Sequence, residues 1–165
     1  MTVLYAVLAF VAVQRVAELA WAERNTARLR RAGAVEIDAE GYPFFVVMHG
    51  MWLAALLFVP AATPPSWPLL GLYALLQPLR LWAIASLGPY WTTRILTLPE
   101  APLRRAGPYR WLRHPNYAVV TAEIALLPLA FGAIAVAAVF SALNLLLIAR
   151  RIEIEDGALA PRRSL

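Results

Sequence analysis

Apolar residues along this chain fall into five runs separated by short polar connections. The runs cover about residues 2–22, 43–62, 67–87, 117–131 and 133–149. The first three approach the roughly 20 residues that a helix needs to cross a hydrocarbon core. The last two are shorter and meet at Gly132, which predicts a tight helical hairpin or a partly re-entrant pair. Strands are disfavoured, because the runs are long, rich in Ala and Leu, and lack alternation at period two. The expected architecture is therefore an all-α integral membrane bundle of about five transmembrane helices, the last two forming a short hairpin. No linker is long enough to divide it, so residues 1–165 read as a single domain.

The polar connections are asymmetric in charge. The first run is followed by Arg24, Arg28, Arg30 and Arg31, and the third by Arg94, Arg104, Arg105, Arg110 and Arg113. The tail carries Arg150, Arg151, Arg162 and Arg163, whereas Pro60, Pro64, Pro65 and Ser66 join runs two and three and the turn at Gly132 has no charge. With five spans the three basic regions fall on one side. By the positive-inside rule the N-terminus is then outside and the C-terminus cytoplasmic. The first run has no basic leader and carries Gln14, Arg15 and Glu18, so it reads as a span and not as a cleaved signal. The tail from Pro161 is expected to fray.

Composition agrees with this picture: 61% of the 165 residues are hydrophobic and 15% charged. The net charge of +5 comes from arginines at the ends of apolar runs, so topology explains it and nucleic acid is not an expected partner. The absence of cysteine excludes disulfides, thiolate metal sites and cysteine nucleophiles. All fifteen cations are arginine, which excludes lysine Schiff-base chemistry. Many alanines with arginine and no lysine suggest GC-rich coding, and hence a bacterial inner membrane. Two histidines without an i, i+4 ligand pair give no expected metal site. No glycine-rich nucleotide loop and no nucleophile elbow is present.

Candidate chemistry concentrates in three places. The stretch Gly107-Pro108-Tyr109-Arg110-Trp111-Leu112-Arg113-His114-Pro115-Asn116-Tyr117 packs cations, aromatics and a histidine just before the fourth run. Its two prolines disfavour helix in the residue before each, so an extended or turning entry is expected. It reads either as a juxtamembrane belt or as the wall of a pocket presenting Tyr109, His114 and Tyr117. The second place is Arg151-Ile152-Glu153-Ile154-Glu155-Asp156, where Arg151 and Glu155 share a helical face. That spacing suits a surface ion pair or a ligand clamp. The third is the set of polar residues inside the spans. Arg15 can pair with Glu18 while snorkelling, Glu123 needs a partner such as Arg80 or Asn144, and His49 is either a helix–helix hydrogen-bonding residue or a site residue.

Together, Gly107-Pro108-Tyr109, Arg113-His114-Pro115-Asn116-Tyr117, an apolar hairpin and Arg151-x-x-x-Glu155-Asp156-x-x-Leu159 resemble the isoprenylcysteine carboxyl methyltransferase superfamily over about residues 88–159. Arg15-x-x-Glu18-Leu19, Arg24-Asn25, Gly33-Ala34-Val35-Glu36, Tyr42 and His49 are further similar to a small bacterial branch associated with methylating alkylpyrone-type lipids. The resemblance implies about five transmembrane helices, S-adenosylmethionine bound from the cytosol and a lipid substrate entering from the bilayer. Carried over by position, Tyr109, His114 and Tyr117 line the cofactor pocket with Arg113 beside them, and Arg151 and Glu155 close it. Asp156 departs from the usual pair of glutamates, and Val119 stands where a glycine is common.

An acceptor that is already an oxyanion needs a cation to orient it more than it needs a base, and positioning supplies most of the acceleration. Arg94, Arg104 and Arg15 are the candidates for that cation, and His49 and Glu123 for facing the acceptor. The expected activity is O-methylation of a membrane-embedded lipid acid or enol. Two rival readings remain: an NADPH-dependent sterol-type membrane reductase, whose family carries a related Arg-His-Pro-x-Tyr region, and a non-enzymatic lipid-binding membrane protein.

Overall fold

The structure is a computed structural model, and it describes residues 2–60, 64–98 and 101–162. The end of the second apolar run at residues 61–62 and Arg163 in the basic tail lie outside the described residues. Five helices carry the fold: α1 (Val3–Arg31), α2 (Tyr42–Leu56), α3 (Trp67–Leu87), α4 (Pro115–Ala130) and α5 (Ile134–Leu159). By length and composition, three stretches can cross a membrane: Val3–Arg31, Trp67–Tyr90 and Ile134–Arg162. The α2 and α4 helices have 15 and 16 residues. At 1.5 Å per residue each is about 22–24 Å long, short of the roughly 30 Å hydrocarbon core. The chain is an all-α integral membrane protein with two shorter members in its bundle.

Two helices run further than their apolar stretches predict. α1 continues to Arg31 and α5 to Leu159, about 44 and 39 Å by the same rise. Their basic and acidic extensions therefore stand clear of the apolar core as helix. One feature is absent from the pattern of hydrophobic positions. Val35–Ile37 (β1) and Ile95–Thr97 (β2) form an antiparallel ribbon with Glu36 opposite Leu96. Three-residue strands are too short to show a period. The tail also differs from expectation. Ala160–Arg162 form a 3-10 turn, and Arg162 Nε donates to the Ala101 carbonyl at 2.7 Å.

The α4–α5 connection is a tight hairpin, with Gly132 at φ +71° in its turn. The main core gathers Leu4, Leu8 and Val11 of α1, Met48, Trp52 and Leu56 of α2, Tyr73 of α3, Ile124 and Leu127 of α4, and Phe140 of α5. Outward-facing positions stay apolar: Phe10, Val13, Val16, Phe44, Met51 and Leu146 are all exposed. In water that would be unfavourable; in a bilayer it is what a spanning helix presents. Pro128 inside α4 removes the N–H that would have bonded Ile124 O. The buried Trp52 indole N–H bonds that carbonyl instead, at 3.2 Å.

The polar residues of the spans pair with one another. Arg80 of α3 donates two bonds to Glu18, at 2.7 and 2.6 Å, and one to Glu123 at 3.2 Å. Arg15 reaches both Glu18 at 2.9 Å and Glu123 at 2.6 Å. Arg15 therefore turns inward to α4 and does not snorkel. Gln77 donates to the second Glu123 oxygen at 3.0 Å. Two guanidinium groups and two carboxylates thus clamp α1, α3 and α4. Asn144, the other partner considered for Glu123, bonds Thr121 instead at 3.1 Å. His49 is held by the Phe45 carbonyl of its own helix at 2.8 Å.

Candidate functional site

The arginine-rich extensions meet at one end of the bundle. Asn25 of α1 donates to the carbonyls of Gly88 and Trp91, at 3.1 and 2.8 Å, and Arg28 bonds the Pro89 carbonyl. Arg150 of α5 pairs with Asp38 after β1 at 2.9 Å. These ties gather the turn after α3, the ribbon and the end of α5 around a cavity of about 630 Å³, within the roughly 300–1,000 Å³ usual for small-molecule sites. Gly107 sets its near wall. At φ +55° it starts a 3-10 turn over Gly107–Arg110, and a Cβ there would lie 1.9 Å from Ser86 Oγ. Only glycine lets this turn sit so close against the end of α3.

Pro115 opens α4 at its first turn, so the chain emerges from the loop with Tyr117 facing α5. The Tyr117 hydroxyl donates to Glu155 and accepts from Arg151 Nε at 2.7 Å. The buried Arg151 also donates to the Thr93 carbonyl at 2.8 Å and lies over the Phe45 ring. Arg151 and Glu155 thus form no direct ion pair along α5, although their spacing allows one; a phenol oxygen bridges them. His114 stacks on Tyr117 with ring centres 5.3 Å apart and planes 8° from parallel. Its Nε2 lies 3.2 Å from Asp156 Oδ1, and Asp156 also pairs with Arg113 at 3.6 Å. The shorter acid therefore still reaches the histidine. Tyr109 stands on the same cavity; burial, with Glu155 adding to it, pushes its phenol well above the ordinary value and keeps it neutral.

All seven residues expected around the cofactor line this cavity: Tyr109, Arg113, His114, Tyr117, Arg151, Glu155 and Asp156. Of the three cations considered for the acceptor, Arg94 and Arg104 line it and Arg15 does not. Arg104 is exposed and donates one bond, from Nε, to the Ser86 carbonyl at 3.1 Å. Arg15, Glu123 and His49 lie within the helices, the first two in the ion network, and none of the three lines the cavity. The ribbon wall was not foreseen. Arg94 pairs with Glu36 at 2.8 Å across the strands and stacks over the Tyr42 ring at 4.2 Å. Arg30 takes the other Glu36 oxygen. Burial alone would raise the Glu36 carboxyl, but the bonds from Arg94 and Arg30 hold it below the usual carboxylate range. Glu36 and Tyr42 belong to the N-terminal likeness, yet only pairing across some 60 residues gives them a role.

Comparison with known proteins places this site. Residues 69–161, which hold the cavity's α4–α5 wall and the turn before it, match the model of the isoprenylcysteine carboxyl methyltransferase family. The chain belongs to that family, a family of membrane methyltransferases. It is 40% identical over 158 residues to the uncharacterized protein YpbQ of Bacillus subtilis, covering 92% of this chain and 94% of that protein. No solved structure matches it significantly.

Proposed function

We propose that the protein is an S-adenosylmethionine-dependent O-methyltransferase acting on a lipid acid or enol that stays in the bilayer. The observation that carries this reading is the Tyr117 bridge between Arg151 and Glu155 in the cavity wall. It leaves a carboxylate, a guanidinium and stacked aromatic faces lining one water-accessible space. A sulfonium donor with a zwitterionic amino-acid end fits such a lining. Aromatic rings and carboxylates favour its cation, and guanidinium favours its carboxylate. When bound, the donor supplies an activated methyl group.

This chain's residues would hold and orient. Tyr109, His114, Tyr117 and Arg151 line the donor's space, while Glu155 and Asp156 keep the tyrosine and histidine in register. No cysteine or lysine nucleophile is required, because the methyl group moves directly to an oxygen that is already anionic. The arginine-rich end, which holds the cavity, would face the cytoplasm, where the donor is. The exposed apolar faces of α1, α2 and α5 leave the acceptor's tail in lipid. The near full-length likeness to a Bacillus subtilis protein supports a bacterial membrane.

Isothermal titration of the purified protein in detergent with S-adenosylhomocysteine tests the reading. Saturable binding that His114→Ala abolishes supports it. Stabilisation by NADPH in place of S-adenosylhomocysteine, or by neither, would overturn it.

A further inference from the structure

We propose that Arg94 is the ligand for the acceptor's oxyanion, recognising a monoanionic lipid head (carboxylate or enolate) and releasing it once methylated. The inference rests on the methyltransferase reading above and names the acceptor side of the same cavity.

Arg94 differs from the other cations around this space. Arg151 is held by the Tyr117 hydroxyl and the Thr93 carbonyl, and Arg162 by the Ala101 and Pro102 carbonyls. Arg113 is 72% exposed, and Arg104, Arg105 and Arg110 are exposed as well, so solvent screens them. Arg94 is fixed without being used up. Nη1 is bonded to Glu36, and the guanidinium plane lies on Tyr42. Thr92 Oγ1 also donates to its backbone carbonyl at 2.6 Å. Its Nε is enclosed without a hydrogen-bond partner, and Nη2 has none among the described residues. Nη2 is therefore the N–H group left to meet an anion's oxygen, on a guanidinium whose position Glu36 and Tyr42 fix.

The charges around it leave the same opening. Glu36 is shared by Arg30 and Arg94, so its single negative charge does not by itself balance both cations. Glu23 acts on Arg94 electrostatically but makes no bond with it. The acceptor's anionic oxygen brings a further negative charge to Arg94. Methyl transfer removes that charge. The acceptor's oxygen gains a carbon bond as the sulfur–methyl bond breaks; sulfonium becomes thioether and oxyanion becomes neutral ester or ether, with no proton exchanged. Arg94 would therefore hold substrate more tightly than product.

The test is equilibrium binding in detergent with S-adenosylhomocysteine saturating, using two matched pairs. One is a long-chain 6-alkyl-4-hydroxy-2-pyrone and its 4-methoxy ether; the other is N-acetyl-S-farnesylcysteine and its methyl ester. In at least one pair the native protein should prefer the anion by about tenfold or more, as expected for a hydrogen bond to a charged group. Arg94→Gln should lose that preference and Arg94→Lys should keep part of it, both with unchanged S-adenosylhomocysteine affinity. Because the readout is a ratio on protein that still binds S-adenosylhomocysteine, loss of folding cannot mimic it.

Three results would overturn the inference. One is no preference for the anion in either pair with the native protein. Another is a preference that survives Arg94→Gln. The third is a fall in S-adenosylhomocysteine affinity alone, which would assign Arg94 to the donor's carboxylate. Failure of the native protein to bind S-adenosylhomocysteine at all would instead sink the methyltransferase reading beneath it.

Discussion

Arg80 is the hub of the intramembrane ion network, and its replacement tests whether that network holds the bundle. Arg80→Leu removes two bonds to Glu18 and one to Glu123. It leaves two carboxylates, 8% and 1% exposed, with Arg15 as their only cation among the described residues. Breaking a buried pair by removing one partner costs about 3–5 kcal/mol, because an uncompensated charge stays behind. Glu123→Leu makes the opposite error, with two cations on Glu18, and should cost a similar amount. The double variant Arg80→Leu/Glu123→Leu leaves the Arg15–Glu18 pair, which is neutral. Its loss should fall short of the sum of the singles by about 2 kcal/mol or more, the coupling expected within one network. Thermal unfolding in one detergent at fixed pH, followed by circular dichroism and calibrated by a denaturant series, measures all four corners of the cycle. Single losses under about 1 kcal/mol, the range of exposed pairs, would refute the reasoning. Additivity within about 0.5 kcal/mol would refute it equally.

Trp52→Phe should destabilise by about 1–3 kcal/mol by orphaning the Ile124 carbonyl, and adding Pro128→Ala should recover part of this in the same unfolding assay, since alanine restores the helical N–H. Gly107→Ala should lower S-adenosylhomocysteine affinity, read by titration, because its Cβ would strike Ser86 Oγ and its φ of +55° disfavours a side chain; Ser86→Ala in the same protein should relieve only part of this, since the Cβ at position 86 would still lie 2.8 Å away. Tyr117→Phe should weaken S-adenosylhomocysteine binding by about tenfold, read by titration, and lower the unfolding midpoint as well, as two charge-assisted bonds are lost at the cavity wall. The Glu36 carboxyl is held below its unfolded value of 4.5. Its contribution to stability is therefore complete above that pH and is lost as pH falls through the lower folded value. The midpoint of Glu36→Gln should change less between pH 6 and pH 3 than that of the native protein, and parallel curves would contradict the pairing.

The membrane character, the helix count and the hairpin at Gly132 were legible because burial in lipid asks only for length and apolarity, both local properties. So were the pocket residues from Tyr109 to Tyr117 and from Arg151 to Asp156, whose types and spacing are unusual beside a bilayer. Partners were harder to read. Arg151 and Glu155 stand four apart, which suggests a direct pair, yet Tyr117 from another helix comes between them. Arg15 and Glu123 looked like site residues because intramembrane charge is expensive, but that expense is met by mutual pairing across three helices.

By itself the sequence determined which segments must leave water, where positive charge gathers, and which side chains could bind a donor. Hydropathy and residue chemistry act position by position and need no fold to be read. Only the tertiary structure decided which charges neutralise each other and which remain to meet a ligand. Glu36 and Arg94 are 58 residues apart and meet across strands of three residues, too short to leave any period in the chain. That Arg15 spends both terminal nitrogens on carboxylates while Arg94 spends one follows from which helices and strands come together.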